Sequence, residues 1–92
     1  MIKEYLIRLQ ALQLDTLETN VNMKIHTRYS NVKNRPWLAV FASTEEMTED
    51  NEFVGYCSCT FSYYDFQTPE ENFERLEKEY NTIEEFINKY KK

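Results

Sequence analysis

The chain has 92 residues and a net charge of −5, which bounds it to a single domain (1–92) with a modest core. Its 15% aromatic content is too rich for a disordered chain, and its longest uncharged apolar run, residues 37–42, is too short for a membrane span. Lys3, Glu4 and Arg8 interrupt any leader-like start, and Cys57-x-Cys59 makes neither a disulfide framework nor a zinc set. A reduced, cytoplasmic protein without cofactor or metal is the expectation.

Residues 2–18 carry Ile2, Leu6, Leu9, Leu12 and Leu17 at helical spacing, with Tyr5 beside them. The alternation over Leu12-Gln13-Leu14-Asp15 leaves a short strand open as an alternative. Residues 21–29 alternate as a half-buried strand. Val21, Met23, Ile25, Thr27 and Tyr29 share one face, and Asn22, Lys24, His26 and Arg28 the other. A polar hairpin loop follows over 30–35, and Pro36 opens the next strand, where its missing N–H costs little.

Residues 37–43 are apolar on both faces, the mark of a central strand covered on both sides. Residues 44–52 form a loop holding Glu45, Glu46, Glu49, Asp50 and Glu52 without a base. A third strand is expected over 53–64. Phe53, Gly55, Cys57, Cys59, Phe61 and Tyr63 lie on one side, and Val54, Tyr56, Ser58, Thr60, Ser62 and Tyr64 on the other. With Gly55 the sole glycine, left-handed turn positions fall to Asn or Asp, and Asn31, Asn34, Asn51 and Asn81 stand at expected breaks.

Thr68-Pro69-Glu70-Glu71 is a capping box with proline at the first helical position. The helix it opens carries Phe73, Leu76, Tyr80, Ile83, Ile87 and Tyr90 as its apolar stripe. The stripe stays in phase through Asn81-Thr82, although Thr82 and Glu85 offer a second capping box and hence a break. The predicted fold is α+β, in α-β-β-β-α order. Three antiparallel strands form a meander with residues 37–43 in the middle, and both helices lie on one face.

No nucleophile elbow, glycine-rich phosphate loop or His-Glu-x-x-His pattern is present, and His26 is the sole histidine, so no enzyme is expected. Cys57 and Cys59 read as core thiols. The acidic loop lacks the spacing and glycine of a calcium loop. The charge is asymmetric, +3 over residues 1–36 and −8 over 37–92. A net negative chain repels nucleic acid and favours basic partners.

Two partner surfaces are therefore expected. One is acidic: Glu45, Glu46, Glu49, Asp50 and Glu52 of the loop, with Glu70 and Glu74 of the last helix, meeting a basic protein. The other is the uncovered sheet face, with Tyr56 and Tyr64 beside Lys24, His26 and Arg28. Its apolar centre is either Leu38 and Val40 or Trp37, Ala39 and Phe41, and Leu38 and Val40 are taken as the partner-binding pair. Such a face can pack on another protein or a second copy of the chain. Its Tyr, Lys and Arg could instead stack on and neutralise unpaired nucleic acid, a reading that the net charge disfavours.

The element order is also that of double-stranded RNA-binding domains. Their last helix begins with basic residues, however, and this one begins Pro69-Glu70-Glu71. In size, charge and element order the chain resembles small acidic phage anti-CRISPR proteins. That resemblance implies an inhibitor that mimics nucleic-acid charge through the 45–52 acids and Glu70, Glu71, Glu74 and Glu77.

Overall fold

The structure is a computed structural model that describes residues 2–30, 35–44 and 55–91. Its elements run α1 (Ile2–Asp15), β1 (Val21–Ser30), β2 (Arg35–Thr44), β3 (Tyr56–Phe61) and α2 (Pro69–Tyr90). The strands form one antiparallel sheet in the order β1-β2-β3. This is the α+β, α-β-β-β-α architecture expected from the sequence. No helix among the described residues is long and apolar enough to cross a membrane.

Both helices lie on the same face of the sheet, α1 over β1 and β2, α2 over β3 and β2. The core between the layers joins Leu9 and Leu12 of α1, Leu38, Val40 and Ala42 of β2, Phe61 of β3, and Leu76, Ile83 and Ile87 of α2. Leu38 and Val40 are thus buried beneath the helices, at 2% and 0% exposure, which corrects their assignment to the partner-binding face. Strand alternation then turns Trp37, Ala39, Phe41 and Ser43 to the opposite side, where all four are half-buried. Period-2 alternation cannot tell the two faces of an all-apolar strand apart. The position of the helices does.

α1 stops three residues short of its expected end. Thr16 N–H and Leu17 N–H donate to the carbonyls three residues back, at 3.0 and 3.2 Å, which tightens the last turn. Glu18 then takes a left-handed φ of 64°. Leu17 consequently points outward at 64% exposure instead of joining the core. Among the described residues the left-handed position therefore falls on a glutamate. Of the asparagines expected at breaks, Asn81 lies inside α2, and Asn31, Asn34 and Asn51 lie outside the described residues.

α2 is continuous through Asn81-Thr82, where the Thr82 hydroxyl donates to Lys78 C=O at 2.8 Å. Its capping box is present as expected. Glu71 N–H donates to Thr68 Oγ1 and Thr68 N–H to Glu71 Oε1, both at 3.1 Å. The buried stripe begins one residue early, with Asn72 at 0% exposure, while Phe73 is turned out.

Asn72 also explains why β3 ends at Phe61. Its Oδ1 accepts from Tyr64 N–H at 2.9 Å, and its Nδ2 donates to Tyr64 C=O at 3.0 Å. Arg75 donates to Ser62 C=O. Side chains of α2 thus hold the backbone at Ser62 and Tyr64, and the expected strand over 62–64 becomes the turn into α2.

The helices are joined across their tops by one polar cluster. Tyr5 hydroxyl donates to Glu77 Oε1 at 2.8 Å, and Arg8 pairs with the same oxygen. The Arg8 guanidinium also lies 4.0 Å from the Tyr80 ring centre. Burial, and then the Glu77 hydrogen bond, push the Tyr5 hydroxyl up to about 12. The Arg8 and Tyr5 hydrogen bonds in turn hold Glu77 below the usual carboxylate range.

Candidate binding surface

Strand register arranges the open sheet face into three rows. β1 supplies Lys24, His26 and Arg28, all exposed. β2 supplies Phe41 opposite Lys24, Ala39 opposite His26, and Trp37 opposite Arg28. β3 supplies Tyr56 opposite Ser43, Ser58 opposite Phe41, and Thr60 opposite Ala39. The result is a basic edge, an aromatic centre and a hydroxyl-bearing edge. No Asp or Glu among the described residues of β1, β2 or β3 interrupts it.

The rows touch. The His26 ring meets Phe41 edge-on at 5.6 Å between centres, and the Arg28 guanidinium lies 5.5 Å from the Trp37 ring. Cation–ring contact of that kind leaves the guanidinium N–H groups free to bind an anion in the ring's plane of approach. Tyr56 stands out from the far corner at 63% exposure. Two bases of the basic half, Lys24 and Arg28, thus reach the surface on one strand.

The other residues proposed for partner binding divide differently. Tyr64 is not on this face, because the chain has left the sheet. Its ring stacks on Phe66 at 5.2 Å between centres, and the Arg75 guanidinium covers it at 3.9 Å. Glu70 and Glu74 are exposed on the outer side of α2. Glu71 is spent on the capping box and Glu77 on Tyr5 and Arg8, so the acidic helix face is narrower than its sequence implies. Glu45, Glu46, Glu49, Asp50 and Glu52 lie outside the described residues.

Cys57 and Cys59 are unbridged, and Cys59 is buried with its Sγ 3.6 Å from Glu79 C=O. Burial pushes the Cys59 thiol far above the ordinary thiol range and Cys57 in the same direction, which suppresses the reactive thiolate. Among the described residues no three of His, Cys, Asp and Glu are grouped to hold a metal ion.

Sequence reasoning found Lys24, His26, Arg28 and Tyr56 on one face and offered Trp37, Ala39 and Phe41 as one of two centres. It missed Asn72 and Arg75, whose only sequence signal is their position one turn inside a capped helix, within reach of the preceding turn. Comparison with protein-family models, curated proteins and solved structures finds no match to this chain.

Proposed function

We propose that the protein is a non-enzymatic interaction module, an inhibitor or adaptor of the type carried by phages and mobile elements, and that it binds a protein partner through its open sheet face. The observation that carries this reading is a sheet face that no described element covers. Trp37, Ala39 and Phe41 sit at its centre, Lys24, His26 and Arg28 form its rim, and no carboxylate stands among the described strand residues. An aromatic centre with an arginine-bearing rim is the composition of interface cores. The complementary partner surface is acidic. The outer face of α2, with Glu70 and Glu74, is the weaker candidate, since Lys78 lies one turn beyond Glu74.

Trp37 is the only tryptophan, so its fluorescence reports on this face directly. Phe41→Glu places a charge at the centre of the face and not in the core. The expected result is a variant with the wild-type melting temperature that no longer retains the protein captured by wild type from nuclease-treated cell extract. Equal retention by both proteins would reject the face.

A second reading is favoured by Phe41 lying beside Lys24 and Trp37 beside Arg28. Flat aromatics next to bases suit the stacking of unpaired nucleotides. Quenching of Trp37 fluorescence by oligodeoxythymidylate, reversed by salt, would move this reading to first place.

A further inference from the structure

The outer edge of the sheet carries information that the face does not. Among the described residues β1 is paired on one side only, with β2. In an antiparallel ladder, alternate residues direct their N–H and C=O toward the neighbour or away from it. Three hydrogen bonds set the phase here. Thr44 N–H donates to Gly55 C=O at 3.1 Å, so even residues of β2 bond toward β3 and odd ones toward β1. Phe41 faces Lys24, Ala39 faces His26 and Trp37 faces Arg28, so even residues of β1 hold β2. Odd residues of β1 therefore present their backbone to the free edge. Two further bonds agree: Val21 N–H donates to Thr19 Oγ1 at 3.2 Å, and Gln13 Nε2 donates to Met23 C=O at 2.9 Å.

The chain thus covers the start of this edge with its own side chains. Further along, Ile25 and Thr27 turn their N–H and C=O outward with no such cover among the described residues. By the same phase Tyr56, Ser58 and Thr60 of β3 face the opposite edge, which carries no Lys, Arg or His and is closed beyond the strand, where Arg75 takes Ser62 C=O and Asn72 takes both backbone groups of Tyr64.

We propose that the β1 edge at Ile25 and Thr27 receives an extended segment of the protein partner, added as a fourth strand, with side chains alternating between acidic and apolar. This rests on reading the chain as a protein-binding module and specifies how the partner is held. Backbone pairing supplies the attachment, and alternate side chains supply the selectivity. On the open face the added strand lies beside Lys24, His26 and Arg28, which recur roughly every 6.7 Å. Two cations, Lys24 and Arg28, in cross-strand reach, with no acid anywhere in β1, select carboxylates.

On the helix side the strand meets Ile25 and Leu6, both half-buried against the core. Leu6 precedes Gln13 by two helical turns and shares its β1-facing flank. Apolar side chains of the added strand would finish covering that rim.

A second copy of the chain fits this edge poorly. Antiparallel pairing centred on His26 sets Lys24 of each copy against Arg28 of the other, and like charges directly opposite are destabilising. The same bases that protect the edge from self-association make it attractive to an acidic strand.

The test uses the full chain, amide hydrogen exchange read by NMR, and a short end-blocked peptide alternating Asp and Val. Without peptide, Ile25 and Thr27 amides exchange fast, while Lys24, His26 and Arg28 amides are protected. With peptide at ten times its Kd, exchange at Ile25 and Thr27 slows about tenfold. A Lys-Val peptide produces no protection. Thr27→Pro removes one outward N–H without touching the β1–β2 ladder, so it keeps the wild-type melting temperature and loses the protection.

Absence of protection at Ile25 and Thr27 overturns the inference. If the peptide instead perturbs Trp37 and Phe41 while those amides stay fast, the face reading survives and only the edge mode fails. Protection that rises with protein concentration alone assigns the edge to a second copy. Perturbation by oligodeoxythymidylate but by neither peptide removes the protein-binding reading and the edge inference together.

Discussion

Asn72→Ala removes the amide that ties the end of the sheet to the start of α2. Asn72 is fully buried, and its side chain makes five hydrogen bonds. Oδ1 accepts from Tyr64 N–H at 2.9 Å and from Arg75 at 2.8 Å. Nδ2 donates to the carbonyls of Tyr64, Gln67 and Thr68 at 3.0 to 3.3 Å. A typical bond of this kind contributes about 1 kcal/mol net, and a buried partner left unpaired costs about 1–3 kcal/mol.

Water can reach the Gln67 and Thr68 carbonyls in the turn, so the full sum does not apply. The expected loss is about 3 kcal/mol. A small domain responds by roughly 4–8 °C per kcal/mol, so the melting temperature should fall by roughly 12–24 °C. Urea unfolding followed by Trp37 fluorescence should show a lower midpoint at unchanged slope. Asn72→Asp keeps the acceptor for Tyr64 N–H and Arg75 but turns a second carboxylate oxygen toward the three carbonyls that Nδ2 served, so it should not rescue the loss. An alanine variant melting within about 4 °C of wild type would refute the account, because the turn would then be held by something other than this amide.

Further expectations concern the core, the ionisable cluster and the glycine. Val40→Ala should cost about 1–3 kcal/mol in urea, whereas Ala39→Ser, on the open face, should stay within about 0.5 kcal/mol, since only the first leaves a cavity beneath the helices. Tyr5 has its hydroxyl pKa raised to about 12 from 10. Its contribution is therefore complete below pH 10 and lost as pH rises from 10 to 12, about 2–3 kcal/mol in all. Urea midpoints of wild type should accordingly fall more steeply across that window than those of Tyr5→Phe, which cannot ionise. A Cβ on Gly55 would lie 3.0 Å from a Tyr90 ring carbon and 3.1 Å from one of Phe86. Gly55→Ala should then cost about 1–2 kcal/mol by thermal melt, and Gly55→Ala with Tyr90→Ala should recover part of it.

Much of the fold was legible in the residues because local rules and tertiary packing agree along most of the chain. The alternation of β1, the uniformly apolar β2 and the capping box at Thr68 each specify an element through short-range chemistry. That chemistry needs only a sheet on one side and water on the other. The position of the basic strand was legible for the same reason, since Lys24, His26 and Arg28 share a face in any strand they form.

What only the tertiary structure decided were the choices between equivalent surfaces. Leu38 and Val40 went under the helices and Trp37 and Phe41 did not, because an all-apolar strand carries no signal about which side α1 and α2 will cover. Tyr64 left the open face because Asn72 and Arg75, eight and eleven residues further on, hold the backbone at Tyr64 and Ser62 against the start of α2. The phase that turns Ile25 and Thr27 to the free edge is likewise set from outside β1, by the bond between Thr44 and Gly55 two strands away. Each of these is a long-range pairing, and the residues it positions carry no local mark of it.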